Sequence, residues 1–282
     1  MSAGPAPRFR KPARIRIDEL LVARGLAATR AEAARLVLAG RVRVGGERAD
    51  KAGHLLRADA PLELLGAAPY VGRGGEKLEA ALDAFGVSAR TRVCLDVGAS
   101  TGGFTDCLLT RGAARVYAVD VGHGQLHPRL RGDPRVTVLE GVNARDLDPS
   151  HFDPPPTLAT VDVAFISLEK VLPAVAVCLV PSDAGAPADL VALVKPQFEV
   201  GRGQVGKGGV VRDPGRHREV LARLAAFAAA RGWALRGVAV SPLRGPKGNR
   251  EFFLHLQPGG EAIPGEALAA AIEGAVSGDE KP

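Results

Sequence analysis

Through the second half of this chain, apolar residues fall in short unbroken runs. These are Val93-Cys94-Leu95, Val116-Tyr117-Ala118-Val119, Leu158-Ala159-Thr160-Val161 and Leu190-Val191-Ala192-Leu193-Val194. Runs of that length without polar alternation predict strands buried on both faces, as in a parallel sheet. Each run meets a charged residue at its end: Asp96, Asp120, Asp162 and Lys195. Between the runs the spacing becomes helical. Phe104-Thr105-Asp106-Cys107-Leu108-Leu109 follows a glycine turn, and a longer helix is expected from Asp213-Pro214, as cap and first turn, through Val220, Leu221, Leu224 and Phe227 to Gly232. Alternating strand, turn and helix predict a doubly wound α/β domain, placed at residues 71–258.

The first 64 residues follow another pattern. Asp18 is expected to open a helix through Leu20, Leu21 and Val22 that Gly25 stops, and Thr29-Arg30-Ala31-Glu32 has the T-x-x-E form of a capping box. That second helix should run to about Ala39, with Gly40 closing it. Arg30, Ala31, Ala34, Arg35 and Leu38 are expected to turn small and apolar groups inward and arginines outward. Val42-Arg43-Val44-Gly45-Gly46 reads as a strand entering a hairpin turn. Residues 1–13 are a basic, Pro-rich arm without the apolar segment of a secretory signal, 65–70 a stiff joint, and 259–282 a tail. The longest near-apolar run, Val171 to Pro181, is too short to span a bilayer.

Charge adds a functional hint. Residues 1–64 hold 13 Lys and Arg against 7 Asp and Glu, so the whole formal excess of +6 sits in the first quarter of the chain. A basic module on a neutral one suits an enzyme acting on a polyanion, because neutralised phosphates supply sequence-independent affinity. The three cysteines form no C-x-x-C pair, which points to a reducing cytoplasm, and the six histidines have no metal-ligand spacing.

The glycine turn narrows the chemistry. A dinucleotide fingerprint runs G-x-G-x-x-G, whereas Gly98-x-x-x-Gly102-Gly103 follows an acid, Asp96. A carboxylate there disfavours phosphates and favours a cation. S-adenosylmethionine carries a sulfonium, an amino group and a ribose diol but no phosphate, so Asp96 suits its methionyl part and Asp120 its ribose. A hydrolase or dehydrogenase crossover is the alternative this turn alone leaves open. Gly201-Arg202-Gly203-Gln204-Val205-Gly206-Lys207 mimics a phosphate loop, but Gly208 stands where Ser or Thr is needed, so the stretch reads as a flap that admits or covers a substrate.

Residues 14–64 resemble an S4 RNA-binding domain in the form R-x-D-x-L-L-x-x-x-G-L-A-x-[ST]-R-x-x-A. Gly72-Arg73-Gly74-Gly75-Glu76-Lys77-Leu78, Asp96 to Thr105, Asp120 to Leu126, Phe165-Ile166-Ser167-Leu168, Val194 to Glu199, Gly206 to Pro214 and Gly245 to Asn249 resemble the TlyA family over nearly the whole chain. Gly72 and Ala164 depart from it, each standing where the family commonly has Ser. The resemblance implies a small α+β S4 domain joined to a class I, Rossmann-like methyltransferase of the FtsJ/RrmJ kind. Its implied reaction is methyl transfer from S-adenosylmethionine to cytidine 2′-hydroxyls of ribosomal RNA (16S, 23S or both).

By the same resemblance, Lys77, Asp162, Lys195 and Glu251 would be catalytic. The cofactor would meet Asp96, Gly98, Ala99, Ser100, Thr101, Gly102, Gly103, Phe104, Thr105, Asp120, Val121 and Asn143, and RNA would meet Arg16, Arg30, Arg41, Arg43 and Arg73. The tetrad also makes chemical sense. A ribose hydroxyl needs a base, and a lysine kept near a second lysine and desolvated by RNA is pushed toward its neutral form. Two other classes share features with this reading: a pseudouridine synthase carrying an S4 domain, and a membrane-active haemolysin, a label that TlyA-like sequences have borne.

Overall fold

The structure, a computed structural model, describes residues 14–66, 69–181, 185–201, 203–206, 208–259 and 263–278. The expected arm at 1–13 lies outside them, as do Ala67 and Ala68 of the joint and Arg202 and Lys207 of the glycine-rich loop. The chain divides into two compact units, residues 1–73 and 74–282.

The small unit contains β1 (Arg14–Arg16), α1 (Ile17–Ala23), α2 (Arg30–Leu38), β2 (Val42–Val44), β3 (Glu47–Arg48), β4 (Leu55–Arg57) and β5 (Leu62–Leu64). β1 pairs antiparallel with β4, and β2 lies between β3 and β5. Gly45 and Gly46 both take positive φ, the conformation a two-residue hairpin needs between β2 and β3. Thr29 Oγ1 accepts the Glu32 amide at 3.1 Å, while the Glu32 carboxylate reaches back one residue further than expected, to the Ala28 amide at 2.8 Å. The inward face of α2 differs from the sequence expectation. Ala33 and Val37 are buried against Ile17, Leu21 and Val42, whereas Ala31 is exposed and Leu38 is 69% exposed. The core-facing pair Ala33 and Val37 is therefore one residue out of phase with the expected Ala34 and Leu38.

The large unit is built from α3 (Gly74–Phe85), β6 (Val93–Val97), α4 (Gly103–Thr110), β7 (Arg115–Asp120), α5 (Pro128–Arg131), β8 (Val136–Glu140), β9 (Leu158–Val161), α6 (Leu172–Ala176), β10 (Asp189–Val194), α7 (Pro196–Glu199), α8 (Pro214–Ala229), β11 (Trp233–Val240), β12 (Phe252–Pro258) and α9 (Gly265–Ser277). Its seven strands run in the order β11-β12-β10-β9-β6-β7-β8. The five strands from β10 to β8 are parallel, and β12 and β11 close the edge antiparallel. The chain steps from β6 outward to β7 and β8, then returns to β9 on the other side of β6. That reversal puts a crevice beyond the carboxyl ends of β6 and β9, where ligands of open α/β sheets bind.

Two particulars shape this crevice. At the start of α4, a β-carbon on Gly103 would stand 3.0 Å from the Gly75 amide nitrogen, so glycines at both helix starts let α3 and α4 approach. The expected tail contains α9, whose Ile272, Ala275 and Val276 are buried in the main core with Leu221 and Leu235. Leu268, Ile272, Ala275 and Val276 are spaced as a helical apolar stripe, which makes this segment part of the fold.

Candidate active site

β6 delivers the first wall. After Val97 the backbone turns through Gly98 (φ +86°), Ser100 (φ +49°) and Gly102 (φ +97°), which explains the glycines at both ends of this turn. A β-carbon at Gly98 would fall 2.3 Å from the Asp162 carbonyl oxygen, so the ends of β6 and β9 meet only because this residue has no side chain. Asp120, ending β7, accepts the Ser100 amide at 2.8 Å through one oxygen and the Gly122 amide at 2.7 Å through the other. One carboxylate thus fixes both loops.

Gly98, Ser100, Asp120, Val121, Asn143, Asp162, Phe165 and Lys195 line the resulting cavity of about 560 Å³. The other expected cofactor residues stand away from that wall. Ala99, Gly102, Gly103, Phe104 and Thr105 are buried as the chain enters α4, and Thr101 is exposed. They set the turn from behind or beside it.

Asp96 is the main displacement from expectation. It is fully buried and accepts the hydroxyls of Thr105 at 2.6 Å and Thr160 at 3.3 Å. Burial outweighs those hydrogen bonds and pushes its carboxyl up to about 7. A carboxyl raised above its unfolded value stabilises the fold in acid and loses that contribution as pH climbs toward the folded value. The wild-type protein should therefore lose stability relative to Asp96→Asn between about pH 4 and pH 7 and run parallel to it above. Urea unfolding midpoints across that range check this; parallel profiles throughout would contradict it.

Two lysine–carboxylate pairs stand at the ends of the neighbouring strands. Lys195 follows β10, and its Nζ lies 2.5 Å from Oδ1 of Asp162, which follows β9, as an ion pair without hydrogen-bond alignment. Lys77, on α3, donates to Oε2 of Glu251 at 2.5 Å, and the Glu251 side chain has no exposure. Val194 is in antiparallel register with Phe252, which places Lys195, just after β10, at the position opposite Glu251, just before β12. The four expected catalytic residues thus come from three strand ends and one helix. The second oxygen of Glu251, Oε1, occupies the place of a β-carbon on Gly245, at a separation of 1.9 Å.

Sequence reasoning overlooked the role of the loop after Asp162. Phe165 there takes φ +64° and is 90% exposed, with its ring 5.0 Å from that of Phe198. Buried Glu199 holds the loop by accepting the Ser167 hydroxyl at 2.7 Å and the Leu168 amide at 2.8 Å, and Arg223 braces it at 3.1 Å. The signal was an aromatic residue at a strand end, three positions past a charged one.

In the small unit, the expected RNA-facing arginines are largely engaged. Arg16 makes a two-pronged contact with Asp18 at 2.9 and 2.8 Å, which holds that carboxyl down at about 2, and Arg30 pairs with Asp18 and Glu19. Arg41 donates to the carbonyls of Gly66 and Leu65. The stem of Arg73 lies against Gly40, and Arg43 meets Glu63 only at 3.9 Å.

This geometry agrees with what the chain resembles. The FtsJ-like methyltransferase family matches residues 70–258, and the S4 domain family matches residues 15–61. The 16S/23S rRNA (cytidine-2′-O)-methyltransferase TlyA of Mycobacterium tuberculosis is 49% identical over 94% of this chain and 98% of its own. The chain belongs to the TlyA family of FtsJ-like methyltransferases. Hemolysin A of Brachyspira hyodysenteriae is 40% identical over 86% of this chain and 99% of its own. A solved structure from Streptococcus thermophilus, also named as a hemolysin, superposes with a TM-score of 0.72 at 42% identity, covering 94% of this chain and 96% of that one. Among the described residues no helix is long and apolar enough to cross a membrane.

S-adenosylmethionine is the methyl donor of this TlyA-family enzyme, and the cavity residues fit it. Asp120 stands at the end of β7 with both oxygens directed to the loops around the cavity. Val97, Val119, Val121 and Val142 give apolar walls, and Asp162 supplies a carboxylate for a cationic centre.

Proposed function

We propose that the chain methylates cytidine 2′-hydroxyls of ribosomal RNA. The observation that carries this reading is the pair of lysine–carboxylate contacts, Lys195–Asp162 and Lys77–Glu251, assembled at strand ends with Lys195 and Asp162 in the wall of the cofactor cavity. When bound, S-adenosylmethionine supplies an electrophilic methyl carbon on a sulfonium. With that methyl donor in place, Lys195 would take the proton of the ribose hydroxyl that receives the methyl group. Asp162 orients the Lys195 amine. Lys77 is held by Glu251 to position the ribose. RNA covering the site would exclude water from the reacting hydroxyl.

Exposed Phe165, backed by Phe198, offers a face on which a base can stack once drawn out of its RNA strand. The basic small unit supplies phosphate contacts, for which Arg16, Arg30, Arg41, Arg43 and Arg73 are the candidates. Arg43, which meets Glu63 only at 3.9 Å, is expected to matter through charge alone. Arg43→Ala should flatten the salt dependence of rRNA binding by roughly one unit of log–log slope. An unchanged slope would remove Arg43 from the interface.

The proposal is tested with labelled S-adenosylmethionine, unmodified 16S and 23S transcripts and ribosomal subunits, followed by digestion to nucleosides. The expected product is 2′-O-methylcytidine. Label in a base, or in no RNA, would overturn the proposal.

A further inference from the structure

A second concave surface lies outside the cofactor cavity, at the start of α8. It encloses about 450 Å³ and is lined by Arg212, Arg244, Lys247 and Arg250, with no acidic side chain among its described lining residues. Arg212, Arg244 and Lys247 are exposed. Arg250 is fixed by its guanidinium contacts to the carbonyls of Ala275 and Val276. The nearby carboxylate of Asp213 is committed elsewhere: it caps α8 by accepting the Gly215 amide at 2.8 Å and lies 3.7 Å from Arg216.

The walls are tied to the catalytic residues by one buried side chain. Asn249 accepts the Val211 amide at 3.1 Å and donates to the Gly209 carbonyl at 3.0 Å. It thereby clamps the segment before α8 to the loop 245–251, which carries Lys247 and Arg250 and ends in Glu251. Arg250, in the cavity wall, directly precedes Glu251 in the chain.

We infer that this cavity binds a backbone phosphate of the RNA strand carrying the target nucleotide, a phosphodiester site separate from the cofactor cavity and from the small unit. The inference rests on the proposed RNA substrate. Charge favours a phosphate over a base, because four cations line the cavity and the one ring among its lining residues, His217, is buried, packed against Phe252 and tied to the Val211 carbonyl. Toward a phosphate arginine offers a two-pronged donor and lysine a point charge, and such contacts carry affinity and register but no sequence information.

The test compares wild type, Arg212→Ala/Arg244→Ala and Arg212→Lys/Arg244→Lys in binding and methylation of unmodified rRNA transcripts across a salt series. The alanine pair should lose about one unit of log–log salt slope and raise KM for RNA roughly tenfold, with kcat and S-adenosylmethionine affinity unchanged. The lysine pair should keep the wild-type slope. Both sites are on exposed side chains, and thermal unfolding checks that the fold is intact. A wild-type slope and KM in the alanine pair would overturn the phosphate assignment, as would a slope lost equally in the lysine pair. The slope is read from binding alone, so failure of wild type to methylate RNA would overturn the proposed reaction and still leave this site decided.

Discussion

Lys195→Ala is expected to abolish methyl transfer in single turnover at saturating RNA, by the 10²- to 10⁴-fold that a positioned base contributes (order of magnitude). Lys195→Arg is expected to be equally inactive. Arginine keeps the positive charge beside Asp162 but is effectively never deprotonated, so it orients the hydroxyl without taking its proton. Lys195 separates chemistry from folding better than Lys77 does. Removing Lys77 strands a wholly buried Glu251 carboxylate, a loss of about 3–5 kcal/mol in typical buried pairs. Asp162 keeps 24% of its side chain exposed, so solvent compensates it when Lys195 is truncated. Calorimetry should show both variants binding S-adenosylmethionine. A near-wild-type rate for the arginine variant would make Lys195 an electrostatic positioner and move the base to Lys77, Asp162 or water.

Gly245→Ala should cost activity without touching a residue that meets substrate. The added β-carbon would stand 1.9 Å from Glu251 Oε1, so the carboxylate must swing and its contact with Lys77 must break or shift. Displacements of about 1 Å in a catalytic constellation lower rates by roughly 10²-fold. The loss should fall on kcat, with cofactor affinity retained, since neither Gly245 nor Glu251 lines the cofactor cavity. Shortening the acid makes room, so Gly245→Ala/Glu251→Asp should recover part of the rate. Wild-type kcat in the single variant, or no difference between single and double variants, would show that the Lys77–Glu251 contact is structural only.

How far the chain could be read in advance depended on how local the cause was. The strands β6, β7, β9 and β10 were legible because strands covered on both faces leave unbroken apolar runs, and their charged ends pointed to Asp120, Asp162 and Lys195 as crevice residues. The pairing of Lys77 with Glu251 is not a local property: 174 residues separate them, and only the register of β10 with β12 brings Glu251 opposite Lys195. Asp96 shows a different gap. Its position after an apolar run was visible, but its orientation toward Thr105 and Thr160 depends on which face of β6 it takes. The face of α2 was misassigned because Ala-rich helices carry weak contrast between faces, and α9 was passed over although its apolar stripe was present. Phe165 was noted for its motif, while its exposure follows from a left-handed backbone conformation that the sequence does not announce.

The most direct measurement is a nucleotide-resolution map of 2′-O-methyl groups in 16S and 23S rRNA from cells with the gene, without it, and complemented with either wild type or Lys195→Ala. One or more 2′-O-methylcytidines should vanish on deletion, return with wild type and stay absent with Lys195→Ala. An rRNA map identical in all four strains would contradict the assignment of this site to cytidine ribose methylation.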